Sequence, residues 1–559
     1  MNTTTTVQPT RRPSVLSGLT PYAGTFGNNE LIHLLKRTLF GSTKADIDFF
    51  KGKTMLQVVD ALLTAPASDP APPIKTYGNK TDGTSDGVTA GTTWVTAKEN
   101  GNFDGERRGS LRAWWVGNMI SQDRTVFEKM VLFWHNHFAT ENIETTGILG
   151  YNHVALLRKN ALGNFKNFVK DVTFDPQMMR YLNGYLNSKS VPDENYSREL
   201  QELFTLGKGS ESQYTEGDVK AAAKLMTGWR IRQVETPVSS GKWVWETYFP
   251  TTGNQHDTGV KTFSAFYGGK TITGKATNTQ ADAAAEFDEM LTMIFASNEV
   301  AKFICRKLYT YFIYYEIDAD VEANVITPLA TIFRQANYDI KPVLKALLTS
   351  EHFFDAANKG CMIKSPIDYV VGIAREFNID IPTAANYTEQ YIAWDAFAGE
   401  RQKGASTQGQ HLGNPPNVAG WPAYYQFPVF HEFWINTDSF PKRVSFADKF
   451  LTNNGIGLGN SKKLVIDVLK FTDQFGNDAG EPNKLIDRVL EILYRVPVST
   501  TLKNYAKNIL LSGQTSDYYW SDAWDAYKTN PTTTNIATVN TRLQTFYKLF
   551  VDLPEFHLC

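Results

Sequence analysis

The chain has 559 residues, of which 56 are Lys or Arg and 58 are Asp or Glu, giving a formal net charge of −2. These charges are scattered and nearly balanced, so nothing in them marks a nucleic acid or an anionic membrane as a partner. A hydrophobic content of 42% is enough for one large core with appended layers or for two to three domains.

Residues 1–28 are rich in Thr, Pro and Gly and predict an arm laid on the surface. Met1 to Thr20 never builds the apolar run of a secretory signal, so the sequence reads as cytoplasmic as written, or as a mature form whose signal is missing. No window has the length of a membrane span. Helical periodicity starts at Glu30 and Gly41 ends it, and short helices follow over 46–50 and 54–63. From 65 to 105 Pro, Gly, Thr and Asp predict one long loop. Helices are predicted over 109–120 and 125–138, the second with a stripe of Phe127, Met130, Val131, Trp134 and Phe138. Others follow over 151–163, 164–172, 175–182, 194–206 and 215–228.

Apolar and polar residues then alternate among glycines over 229–275, which predicts a small antiparallel β insert. Helices resume over 280–296, 299–315, 320–335, 340–349 and 365–377. A second Pro- and Gly-rich loop zone spans 397–434, and 437–552 is helical again, with a Gly- and Asn-rich joint near 453–460. The expected fold is mainly α: a multi-helix globular array with a β insert and long Gly/Pro-rich loops. Its predicted divisions are the arm 1–28, a main domain 29–450 and a helical region 451–559.

Aromatic residues reach 13%. They fit either sugar-stacking platforms or helical layers packed with Phe and Tyr. Three cysteines, Cys305, Cys361 and Cys559, are too few and too far apart for a disulfide framework or a zinc cluster, and read as reduced or buried thiols.

Chemistry concentrates in a few stretches. His135 and His137 flank Asn136 after Trp134, and imidazole is the commonest ligand for a divalent metal ion. On a helix two such side chains point about 200° apart. A shared ion therefore requires the helix to end near Trp134, and otherwise one imidazole at most faces the core. In Asn195 to Leu203, Glu199 falls on the apolar stripe, where a carboxylate needs a cation or a metal as partner. Glu202 reads as the i+4 ion-pair partner of Arg198. Asp218 follows Thr215 at capping-box spacing. His256 and Asp257 supply one ligand or base and one orienting group to a site built from distant segments. Asn417 and Trp421, in a rigid loop near His411, His431 and Trp434, offer a pocket wall.

The stretches His33 to Arg37 with Phe40-Gly41, Glu128 to Phe138, Glu194 to Leu203, Tyr214-Thr215-Glu216, Leu225 to Trp229, His256-Asp257, Lys364-Ser365-Pro366 and Pro415 to Pro422 together resemble the bacterial family catalogued as domain of unknown function 1800. Glu-Leu-Phe-Thr-Leu-Gly at 202–207 resembles its Bacteroidota branch. Where many members carry a His after Glu-Leu, this chain has Phe204, so no ligand role transfers there. The resemblance implies a mostly helical protein, often exported, often encoded beside a sulfatase- or alkaline-phosphatase-like partner, and implies no established activity.

Two functions follow as expectations. One is a metal-assisted hydrolase or related enzyme, with His135, His137 and His256 as ligands of a divalent metal, Glu199 as ligand or base, Asp257 as an orienting group, and Trp134, Glu202, Asn417 and Trp421 around the pocket. The other is a non-catalytic helical scaffold or partner-binding protein in which those groups form a buried polar network. Carbohydrate binding would need Trp243, Trp245 or Trp421 exposed in a groove.

Overall fold

A computed structural model describes residues 17–559 apart from 142–145, 238, 251, 254, 276–278, 400, 453–454 and 460. Residues 1–16 of the predicted arm, and two residues of the predicted 453–460 joint with its last one, lie outside it. The helix Phe127–His137 lies at the centre, and every one of its residues is buried. Its apolar stripe predicts one core face and one wet face. Instead the helix is enclosed all round, with Arg158 against Glu128, Lys129 against Asp368 and Trp134 against Phe165 and Phe168. A helix with no solvent side buries its polar residues too, and each must find a partner.

The mainly α prediction holds. Among the described residues the β structure amounts to three two-stranded antiparallel sheets. Two of them, Arg230–Glu235 with Trp243–Tyr248 and Val260–Thr262 with Thr271–Thr273, are the predicted insert. The third, Ile456–Gly459 with Lys462–Leu464, falls where a joint was expected. There Ile456 and Leu458 are buried while Gly457 and Gly459 are exposed, a period-2 pattern that the glycines conceal in the sequence.

The predicted helix 194–206 divides into Asn195–Glu199 and a π-helical turn, Leu200–Thr205. A helix without a sequence prediction, Tyr387–Ala398, crosses Asp104–Ile120 so closely that a Cβ on Gly117 would lie 2.3 Å from Trp394 Cε2. The long 65–105 loop is tethered by a buried Lys75–Asp86 pair at 2.6 Å and by the buried Trp94. Residues 17–27 lie along 349–355, where the Tyr22 N–H donates to Thr349 O and the Glu351 N–H to Thr20 O, both at 2.8 Å.

The last carbonyls of a helix have no partner within it. In this molecule buried side chains from other elements repeatedly supply one. Arg375 donates to Ile120 O at the end of Asp104–Ile120, and Arg37 to Ile313 O at the end of Asn298–Phe312. His33 does the same for Phe353 O, and Tyr338 for Phe295 O. Where the donor is a cation, it also complements the negative helix end.

Candidate functional site

Residues 134–137 concentrate this arrangement. Four successive positions on a helix radiate around its axis, and here each one bonds to main chain of another segment. The Trp134 indole N–H donates to Ala161 O at 2.9 Å, just past helix Gly147–Asn160. The Gly413 N–H donates to His135 Nε2 at 3.0 Å, and the Trp421 N–H to Asn136 Oδ1 at 2.9 Å. His137 Nε2–H donates to Phe204 O at 3.1 Å, in the last turn of the π-helical segment. The loop 413–421 is thereby clamped to the central helix. Gly420, at φ +87°, lies so close that a Cβ there would be 2.2 Å from Asn136 Oδ1.

Both imidazoles are neutral. Burial pushes His135 down to about 3, with a smaller contribution from His153. Burial, then the Lys307 charge, holds His137 well below its ordinary value. Because His135 Nε2 accepts a hydrogen bond, its proton sits on Nδ1. His137 donates through Nε2, so its Nδ1 is bare. Neither Nδ1 has a protein partner.

The helix does not stop at Trp134. It runs through His137, and the Phe138 N–H still donates to Trp134 O at 2.8 Å. The rings accordingly occupy different cages: His135 between Trp115 and Trp421, His137 among Phe133, Phe138, Phe165, Phe204 and Phe303. That both are buried corrects the expectation that at most one would face the core. Among the described residues no three His, Cys, Asp or Glu side chains gather as a metal would require, so the donor set does not fit an ion shared by these histidines.

His256 belongs to a second centre. Its Nδ1 bonds Thr227 O at 2.8 Å and its Nε2 lies 3.3 Å from Glu286 Oε2, which also receives Lys261 at 3.3 Å. All three side chains are buried. Burial alone would raise the Glu286 carboxyl. Hydrogen bonds from His256 and the Lys275 N–H, together with the Lys261 charge, outweigh it and hold the group below its ordinary range. Asp257 closes a turn, accepting from the Gly259 N–H at 2.7 Å, while its own N–H donates to Thr227 Oγ1. Glu286 was absent from the sequence reading, since it is one acid in a helix of ordinary amphipathic pattern.

The remaining candidates lie apart from both centres. Glu199 is half-buried, and burial, reinforced by Glu202, raises its carboxyl. Glu202 pairs with Lys208, whereas Arg198 bonds Glu194 and, at 2.6 Å, Glu216. The expected Arg198–Glu202 pair therefore does not form, because the π-helical turn begins between them and changes the i, i+4 geometry. Asp218 caps its helix as predicted. Asn417 is exposed and donates to the Tyr425 hydroxyl. Trp421 is buried, the Lys98 ammonium lies 5.2 Å from the centroid of the half-buried Trp243 ring, and Trp245 packs on the core.

A further polar cluster surrounds a small cavity of about 30 Å³ between helices Asn28–Thr38, Phe127–His137 and Pro366–Glu376, walled by Lys36, Arg37, Lys129, Asp368, Tyr424 and His431. Lys36 pairs with Glu376, and Lys129 with Asp368. Burial pushes the Lys36 amine down to about 7 despite the opposing Glu376 charge. One signal for this cluster was present in the sequence: a Lys-Arg pair closing an otherwise apolar helix.

A family model described as "Protein of unknown function (DUF1800)" matches residues 33–558. No curated protein and no solved structure matches the chain significantly.

Proposed function

The chain belongs to the DUF1800 family of proteins of unknown function, and from that premise we propose that it is a non-catalytic helical scaffold that binds a protein partner. One observation carries the reading. The most chemically suggestive stretch, Trp134 to His137, commits every one of its four side chains to main chain of the surrounding segments. Groups used this way fix the registry of helices and of the 413–421 loop, and neutral buried imidazoles suit that work.

The clamped loop leads into an aromatic surface. Phe427 is 82% exposed, and Tyr425 and Phe433 in the same stretch of chain are exposed too. Large apolar side chains grouped on a surface mark interaction sites. The partner suggested by the family resemblance is the sulfatase- or alkaline-phosphatase-like protein. Among the described residues no helix is long and apolar enough to cross a membrane.

The test is elemental analysis of protein purified without chelators, alongside His135→Ala and His137→Ala. The scaffold reading expects no stoichiometric metal and, in both variants, a loss of stability. One bound metal per chain that disappears in His135→Ala would restore the hydrolase reading. Co-purification with the phosphatase-like partner, abolished by Phe427→Ser with Phe433→Ser, tests the binding half.

A further inference from the structure

The small cavity beside Lys36 and Arg37 carries two buried donors, Arg37 Nε–H and His431 Nε2–H, that have no protein acceptor. Arg37 is 5% exposed and His431 is 7% exposed. Arg37 Nη2 donates to Ile313 O and Asn358 O at 3.2 Å and lies 3.3 Å from Cys361 Sγ, but its Nε–H has no acceptor. His431 Nδ1 accepts from the Ile363 N–H at 3.2 Å, so the ring proton sits on Nε2, and that N–H also lacks an acceptor. Burial, then the Arg37 charge, pushes His431 down to about 4, so the ring is a neutral donor.

Two side-chain carboxylates near the cavity, Asp368 and Glu376, already have a lysine partner. Asp368 takes Lys129 on one oxygen and the Ser365 hydroxyl, at 2.9 Å, on the other. Glu376 Oε1 takes Lys36 and the Ser42 N–H, while its Oε2 has no hydrogen-bond partner. Among the described residues no carboxylate pairs with Arg37, which leaves a guanidinium charge buried without its counter-ion. Such burial is costly unless something compensates the charge.

We infer that this cavity is a binding site for one small monovalent anion of halide or formate size, held by Arg37 Nε–H and His431 Nε2–H. The volume, about 30 Å³, has room for roughly two waters or one such anion. Water could satisfy both donors, but it brings two protons of its own and no charge. An anion only accepts, and it neutralises Arg37. The inference is independent of the scaffold reading, since the cavity shares none of the bonds made by residues 134–137.

Chloride NMR linewidths measured on the whole protein test it. The site expects saturable broadening, displaced by bromide, and weakened at least about tenfold in His431→Phe, the size expected from losing one hydrogen bond to a charged partner. Arg37→Met should abolish it, and if that variant fails to fold, His431→Phe decides alone. A bromide-soaked crystal should show one anomalous peak between the two donors. Waters there with no bromide peak, or unchanged broadening in His431→Phe, would overturn the assignment. Cys559 also lines the cavity, so a chain lengthened beyond it is expected to bind equally. Binding confined to the lengthened chain would instead make a carboxylate at Cys559 the occupant and refute the proposal.

Discussion

The histidines at 135 and 137 and the histidine at 256 come from equally suggestive stretches of sequence, yet the fold uses them in opposite ways. His135 and His137 are neutral, sit in aromatic cages and bond only to main chain. His256 donates toward a buried carboxylate that also receives Lys261, so its centre is ionic and charge-compensated. A neutral hydrogen bond contributes about 1 kcal/mol net, whereas removing one member of a buried ionic set costs about 3–5 kcal/mol. The difference lies in what each ring meets, which residue type alone does not carry.

Acid separates the two regions, and its effect is the largest expected. His33, His135, His137, His431 and His557 all have folded pKa values below the ordinary histidine value, chiefly through burial. A depressed folded pKa means that the unfolded chain binds the extra proton. The stability is therefore complete above about pH 6.5 and is lost as pH falls from there toward each folded value, at about 1.4 kcal/mol per pH unit per histidine. In a difference titration of native against denatured protein, these histidines should together account for about five extra protons on the denatured chain by roughly pH 5, read from their own ring signals. Glu286 has the same sign but a lower window: its contribution is present above about pH 4.3 and is lost only below it, as the carboxyl takes a proton in the fold. Uptake near zero above pH 5 would mean that the caged histidines are not neutral in the native state.

The next largest effect is Glu286→Gln, which leaves Lys261 and His256 buried without their carboxylate and should cost about 3–5 kcal/mol by denaturant unfolding. Pairing it with Lys261→Met should recover much of the loss, because an apolar pair carries no desolvation penalty. Failure of the second change to recover stability would show that Lys261 is held by the Asp257 carbonyl rather than by the carboxylate. Gly420→Ala comes below it, at about 2–3 kcal/mol, since it combines a positive φ with a Cβ driven into Asn136. Hydrogen exchange should then rise across 413–421 and stay unchanged at 256–261.

Fold class was readable because amphipathic helices announce themselves by periodicity, and Gln280–Phe295 and Pro366–Glu376 lie within a residue of their predicted ends. The same rule misled at Phe127–His137, because a helix wheel assumes one side faces water. Asn136 drew no attention between two histidines, although its amide oxygen holds the loop at Trp421. The partners of Lys36 and Arg37 stand 340 and 321 residues away, at Glu376 and Asn358, and no local pattern can reveal contacts made by folding at that range. The stretch Lys364-Ser365-Pro366 entered only through family resemblance, and the place of Ser365 in the cavity wall emerged in three dimensions.

Trp134→Phe tests the neutral region at its weakest expected point. The substitution keeps an aromatic ring against Phe165, stacked at 5.6 Å, and Phe168, at 5.2 Å. It deletes one donor and leaves the Ala161 carbonyl without a partner. Such a loss, with a small void where the larger ring lay, should cost about 1–2 kcal/mol. The protein should stay folded, with slightly faster amide exchange around 158–163. If this change destabilised as much as Glu286→Gln, the 134–137 segment would not be a set of separable main-chain bonds. It would be one cooperative network, and the contrast between a neutral clamp and an ionic centre would give way to two centres of equal weight.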